Sequence, residues 1–169
     1  MKNKKGFTLI ELLIVIGIIA ILAAIIFVAV DPARRLAEAR NATRWSSVNA
    51  ILNATLQYTV DNSGSLPATA VAIDSTPASV QLIGENTGAV ACGSVTCSGE
   101  IVVASNCFVT GIDTDLVDTY ISSIPIDPST GTTDNTQYFI NKSGNGRITV
   151  GACAEEAVGG STPTIQVSR

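Results

Sequence analysis

Glu11 is the one charge in the otherwise apolar stretch from Phe7 to Val30. A carboxylate near the centre of a bilayer costs about 2.5–3.5 kcal/mol on insertion scales, so an acid in such a run is expected to answer to a partner. Four cysteines, Cys92, Cys97, Cys107 and Cys153, offer thiol or disulfide chemistry. Asp113, Asp115 and Asp118 form an acidic cluster at the start of an expected helix, where capping and compensation of the helix dipole account for them. There is no histidine. That removes the usual general base, the Ser-His and Cys-His pairs and the commonest metal ligand. No motif joins the remaining acids into a catalytic dyad, so an enzyme is not expected.

The elements that position these groups follow from patterning. The chain has 169 residues and a formal charge of −4, and charged residues make up 14% of it, against about 25% in typical soluble domains. Residues 1–60 carry seven Lys/Arg against three acids, a net +4, and residues 61–169 carry three against eleven, a net −8. The uncharged run Leu12–Val30 rises about 28 Å as a helix, close to the hydrocarbon thickness of a membrane. A secretory signal peptide has a shorter apolar core, about 7–15 residues, and a plain membrane anchor leaves Glu11 unexplained. Lys2, Lys4 and Lys5 favour a cytoplasmic N-terminus, although the arginines at 34, 35, 40 and 44 oppose that signal.

Asp31-Pro32 interrupts the run. Either Pro32 kinks one long helix, or Asp31 caps a second helix with Pro32 in its first position. Beyond it Trp45, Val48, Leu52, Leu56 and Thr59, with Ile51 beside them, recur at spacings of three and four. They predict an amphipathic helix with Trp45 packed in the core. Asp31 and Arg35 are spaced as an intrahelical pair. Arg34, Arg35, Arg40 and Arg44 read either as a solvated face or as cations that meet acids of neighbouring subunits.

Lys5-Gly6-Phe7-Thr8-Leu9-Ile10-Glu11-Leu12-Leu13 resembles the cleavage and methylation signal of type IV prepilins and type II secretion pseudopilins. The resemblance implies cleavage between Gly6 and Phe7, N-methylation of Phe7, and a role for Glu11 in registering subunits. The new α-amino group of Phe7 and the carboxylate of Glu11 are both poorly solvated among apolar helices, which favours pairing across subunits. It implies an α+β fold, with a long helix packed on a small antiparallel sheet. The divisions are a leader 1–6, a hydrophobic membrane or filament-core helix 7–30, an amphipathic helix 31–62 and a globular head 63–169.

Within the head, Thr76-Pro77 opens a predicted short helix ending near Gly84. Ile101-Val102-Val103 and Phe108-Val109 are predicted strands, and 113–121 a short helix. Residues 137–141 and 147–152 form a predicted hairpin across Ser143-Gly144-Asn145-Gly146, and 164–167 an edge strand. Four cysteines in an exported part read as two disulfides, for which three connectivities exist. The favoured pairs are Cys92–Cys97, closing a tight Gly-Ser turn, and Cys107–Cys153, joining a strand to the last hairpin. Without a C-x-x-C pair or histidine, zinc is disfavoured. The tract Ile124-Pro125-Ile126-Asp127-Pro128 resembles the pre-hairpin segment of pseudopilin-like heads. In some relatives the following loop binds calcium, and Asp127, Asp134 and Asn135 are the weak candidates here. Turn chemistry, for which Asp, Asn, Gly and Pro are the usual residues, is the favoured account of them, and no cofactor is expected.

The expected function is a structural subunit of a type IV pilus. It is inserted in the cytoplasmic membrane as a prepilin, processed by the prepilin peptidase/methyltransferase, and polymerised with copies of itself by inner-membrane machinery into an extracellular filament. The alternatives are a type II secretion pseudopilin and a single-span membrane-anchored binding domain that does not polymerise. The −8 head argues against direct nucleic-acid binding.

Overall fold

The computed structural model of the chain describes residues 6–67, 79–85, 97, 100–102 and 107–169. They fall into two compact units, residues 1–36 and 37–169.

In the first unit, helix α1 runs Leu9–Val30 and ends where Asp31 takes a left-handed backbone, φ 44°. Helix α2, Pro32–Asp61, begins at the proline. The Oδ1 of Asp31 accepts from the Arg34 amide at 3.3 Å. The interruption is therefore a cap: the left-handed Asp31 ends one helix, and its side chain together with Pro32 starts the next. No residue of α1 is buried. By length and composition it is long and apolar enough to cross a membrane.

The second unit is α+β. Its strands are β1 (Ser79–Ile83), β2 (Ile101–Val102), β3 (Phe108–Val109), β4 (Tyr138–Lys142), β5 (Ile148–Ala152) and β6 (Gln166–Ser168), with a short helix α3 (Ile112–Leu116). The sheet order is β2-β1-β4-β5-β6, and β3 pairs with the other end of β1. β1 pairs in parallel with β2 and β3, while the β1–β4, β4–β5 and β5–β6 pairs are antiparallel.

The β4–β5 hairpin crosses the expected turn, with the Ser143 amide donating to the Arg147 carbonyl at 2.8 Å. Gly146 supplies the positive φ of 83° that the turn requires.

The segment expected as a helix near Gly84 is instead β1. The physical reason is that this stretch is needed in the middle of the sheet. Val80, Gln81, Leu82 and Ile83 are all buried, which suits a strand covered on both faces. Period-2 alternation sends Val80 and Leu82 to one cluster and Ile83 to the other. Gly84 follows where a Cβ would collide with the Asp134 carbonyl. Helix α3 is shorter than expected: it stops at Leu116, Val117 is extended and Asp118 has φ 70°. Its N-cap is Gly111, with no side-chain cap.

Among the described residues two apolar clusters form the core of this unit. The larger joins Val48, Ile51 and Leu52 of α2 to Tyr138 and Ile140 of β4 and Ile148 and Val150 of β5. The smaller gathers Val80, Leu82, Phe108 and Phe139 with Cys97, Cys107 and Cys153. Adjacent residues of β4 alternate between the two, as the pleat dictates.

Candidate processing and assembly site

Gly6, Phe7 and Thr8 precede α1 as exposed, non-helical backbone. A bond between Gly6 and Phe7 is thus open to an enzyme without unwinding a helix. Helix α1 starts abruptly because Thr8 is its N-cap, with ψ at 155°. The Glu11 amide donates to Thr8 Oγ1 at 3.3 Å, and the Thr8 amide donates to Glu11 Oε2 at 2.8 Å, a reciprocal capping box. The Thr8 hydroxyl also donates to Glu11 Oε2 at 2.8 Å. The intrahelical partners of Glu11 therefore all use one oxygen, and Oε1 accepts from no group among the described residues. A carboxylate held this way remains able to take a cation through Oε1. Phe7 is 89% exposed. The lysines at 2, 4 and 5 lie outside the described residues.

In the head, the structure brings together residues that sequence reasoning kept apart. Arg44 is fully buried. Its Nε donates to Asp127 Oδ2 at 2.6 Å and its Nη2 to Asp127 Oδ1 at 3.1 Å. Nη2 also reaches Ser129 Oγ at 2.8 Å and Glu156 Oε1 at 3.1 Å, while Nη1 donates to Asn41 Oδ1 at 2.8 Å. Arg40 grips the same Glu156 with both ends, at 2.7 and 2.6 Å. The Asn41 side chain donates to the Glu156 carbonyl at 2.7 Å and accepts from its amide at 3.1 Å.

Arg44 is therefore not on a solvated face, and Arg40, its side chain 39% exposed, is paired with an acid of its own chain. On α2 the expected stripe holds at Val48, Ile51 and Leu52, which are buried, and at Leu56, which packs against the core; it fails at Trp45. Ala37, Asn41, Arg44, Val48, Ile51 and Thr55 face inward, and Trp45 is 41% exposed instead of packed. The available signal was the spacing of Arg44, four residues before Val48 and seven before Ile51. An arginine there reads as surface unless its partner acids, 83 and 112 residues on, are known.

Burial alone would push the Asp127 pKa up. The Arg44 guanidinium and the amides and hydroxyl of Ser129 and Thr130 outweigh it, holding the carboxyl down to about 2. Burial likewise opposes the charge on Arg44, and its bonds to Asp127 and Glu156 raise its pKa above the ordinary value. Glu156 is lowered, chiefly by its bond to Arg40.

Asp127 is thus committed to a guanidinium, and a cation set there would face Arg44 at close range. Asn135 Oδ1 accepts from the Gln137 amide at 3.0 Å. Among the described residues no group of three or more Asp, Glu or Cys side chains is gathered as metal ligands.

The favoured disulfide pairs are both corrected. Cys97 bonds to Cys153, across 56 residues, with Cα atoms 4.1 Å apart. That bond excludes Cys92–Cys97 and Cys107–Cys153 alike. Cys107 is also disulfide-bonded, and Cys92 lies outside the described residues. The reason is the misread strand: with β1 beside β4, Cys97, Cys107 and Cys153 share one apolar cluster with Phe139. Proximity there is set by sheet order, which loop length does not reveal.

Comparison with known proteins bears on the first unit most directly. Residues 1–27 match the prokaryotic N-terminal methylation motif. The chain is 42% identical over 84 residues to the type IV wide pilus major component PilA4 of Thermus thermophilus. The match covers 47% of this chain and 63% of that relative, so the chain spans less than two thirds of its length. No solved structure matches.

Proposed function

We propose that this chain is a structural subunit of a type IV pilus, made as a membrane-inserted prepilin and polymerised through its N-terminal helix. The observation that carries the reading is α1. It is apolar, exposed around its whole circumference, and it opens with a capping box directly after the Gly6–Phe7 bond. A helix without a buried face in its own chain needs lipid or other copies to cover it. The methylation motif over residues 1–27 and the likeness to a major pilus component support the same reading.

In this account a peptidase cleaves between Gly6 and Phe7, and Phe7 is N-methylated. The Phe7 amine of one copy then meets Glu11 Oε1 of another, fixing the axial stagger while Oε2 stays with Thr8. The cytoplasmic membrane holds the prepilin, the assembly machinery extracts it, and the filament stands outside the cell. The role is structural, not enzymatic. No nucleic-acid contact and no cofactor are invoked.

The test is intact mass and N-terminal sequence of the protein from the cells that make it. A chain starting at N-methylated Phe7 is the expected result. A chain starting at Met1 in cells competent for processing overturns the reading and leaves a membrane-anchored domain.

A further inference from the structure

The cations of the second unit are gathered, not spread. Residues 37–169 carry five Lys/Arg against twelve acids, a net −7. Arg40 and Arg44 are tied to Glu156 and Asp127 inside the unit. The other three, Lys142, Arg147 and Arg169, stand at one end of the sheet. Lys142 is opposite Ile148 across the β4–β5 hairpin. Ile148 in turn exchanges both backbone hydrogen bonds with Arg169, at 2.7 and 2.9 Å. Residues opposite one another in an antiparallel pair share a face, so Lys142 and Arg169 flank Ile148 on one face, about 10 Å apart at two strand spacings. Arg147 adjoins this row in the turn, and Arg147 and Arg169 are exposed. None of the three side chains makes a hydrogen bond or ion pair among the described residues.

The opposite end of the sheet is acidic. β1 runs antiparallel to β4, with Gln81 opposite Ile140 and Leu82 opposite Phe139. It therefore leaves the sheet beside Tyr138, the end of β4 farthest from Lys142. Glu85 follows there, its amide donating to the Thr133 carbonyl at 3.1 Å. β3 is parallel to β1, with Val109 opposite Ile83, and so delivers α3 and Asp113 to the same end. Glu85 and Asp113 line one hollow, and their carboxylates make no hydrogen bond or ion pair among the described residues. The four residue steps of β4 alone set the two ends about 13 Å apart. Glu100 is the exception: it precedes β2 at the cationic end, but β1 lies between β2 and β4.

We propose that the Lys142, Arg147 and Arg169 end of one copy docks on the Glu85 and Asp113 end of a second copy. This rests on the pilus reading and adds a contact between heads to that of the N-terminal helices. Assembly through apolar helices crowds units of net −7 together, and like net charge repels. The three cations not used inside the unit are its means of turning that repulsion into attraction, and they do so only against an acidic surface. Both surfaces belong to the same chain and survive removal of residues 1–6. A free polyanion meets the same net −7 with nothing to hold it close, whereas a second copy is held by its helix. The two surfaces are unlike and lie at opposite ends of one sheet. Their contact is heterologous, and it repeats from copy to copy as a filament requires.

The test uses the full chain in the cells that produce it. With residues 1–6 removed, Lys142 is the only lysine left. A carbodiimide that joins amines directly to carboxylates, applied to sheared filaments, is expected to link Lys142 to Glu85 or Asp113 of another copy and give a ladder of species. Arg147→Glu is expected to lower the filament fraction about tenfold, and Glu85→Arg likewise. The two reversals together are expected to return it to within about threefold of the parent. Arg147→Gln, which removes a charge without adding one, is expected to fall between parent and reversal. Arg147 is exposed, and its amide, not its side chain, donates to Ser143 Oγ in the turn. The denaturant midpoint of the chain in detergent is therefore expected to stay where it is.

Full filament yield with Arg147→Glu, or a double reversal no better than either single one, overturns this contact and leaves the pilus reading standing. Lys142 linked only to carboxylates of its own copy does the same. Filaments that bind heparin and lose that binding with Arg147→Glu, at unchanged yield, assign the cations to a polyanion and overturn the contact. Absence of filaments from the parent chain overturns the reading and the contact together.

Discussion

Helix α1 and the inner face of α2 solve opposite problems. Along α1 runs an almost unbroken apolar surface, and none of its residues is buried among the described residues. On α2 the inward face is mixed: Val48, Ile51 and Leu52 pack in the core, with the fully buried Arg44 and the buried Asn41 on the same helix. The first region is strongly apolar and incomplete. The second is more polar and complete, since Arg44 and Asn41 find every partner within the head. The polar groups on the inner face of α2 are thus satisfied within their own unit, whereas no residue of α1 is buried. Apolar content alone does not say which part of a chain is self-sufficient.

Removing one partner of the buried ion pair gives the sharpest contrast. Asp127→Ala leaves Arg44 charged and buried, and is expected to destabilise the head by about 3–5 kcal/mol in denaturant unfolding of the chain in detergent. Replacing both partners, Arg44→Met with Asp127→Leu, is expected to recover most of that loss. Equal damage from the single and double changes would break the picture of a head held by a paired charge.

The Cys97–Cys153 bond comes next. Replacing both residues by serine is expected to cost about 2–4 kcal/mol in the same unfolding experiment. Intact masses with and without reductant are expected to differ by about four daltons, two for each of two bonds.

Acid is expected to act on the head through Asp127. Its folded pKa of about 2 lies below the ordinary 3.8. Its contribution is therefore complete above pH 4 and drains away as pH falls towards 2. The loss is about 2 kcal/mol, read as a shift in the denaturant midpoint. Glu156, also lowered, acts in the same direction. Asp127→Asn is expected to flatten this pH dependence.

The smallest effect is expected in α1. Thr8→Ala removes the cap and one side of the capping box, worth about 1 kcal/mol locally. Faster amide exchange confined to the first turn of α1, with the unfolding curve of the head unchanged, checks it. A change in the head's curve would break the separation of the two regions.

The apolar run with Glu11 in it and the Asp31-Pro32 junction were legible in the sequence because they are local and act through neighbours a turn away; the Thr8 cap, which starts the helix at Leu9 instead of Phe7, came from the structure. The β4–β5 hairpin was legible for the same reason: Ser143-Gly144-Asn145-Gly146 dictates a reversal by itself. The stretch 79–83 was not, because its Ser-Thr-Pro lead-in favours a helix start while its strand state depends on β4, more than 50 residues later. Trp45 and Arg44 are adjacent, so a rotation of 100° on the helix exchanges inside for outside, and only the acids at 127 and 156 choose between them. The cysteines followed the sheet order.

What the sequence by itself determined is thus an apolar helix, a second helix, an acidic mixed α+β head and its final hairpin. Tertiary structure alone decided which cysteines meet, which arginine is buried and which aromatic is left outside. Those outcomes depend on distant groups being brought together, and spacing along the chain carries no record of that.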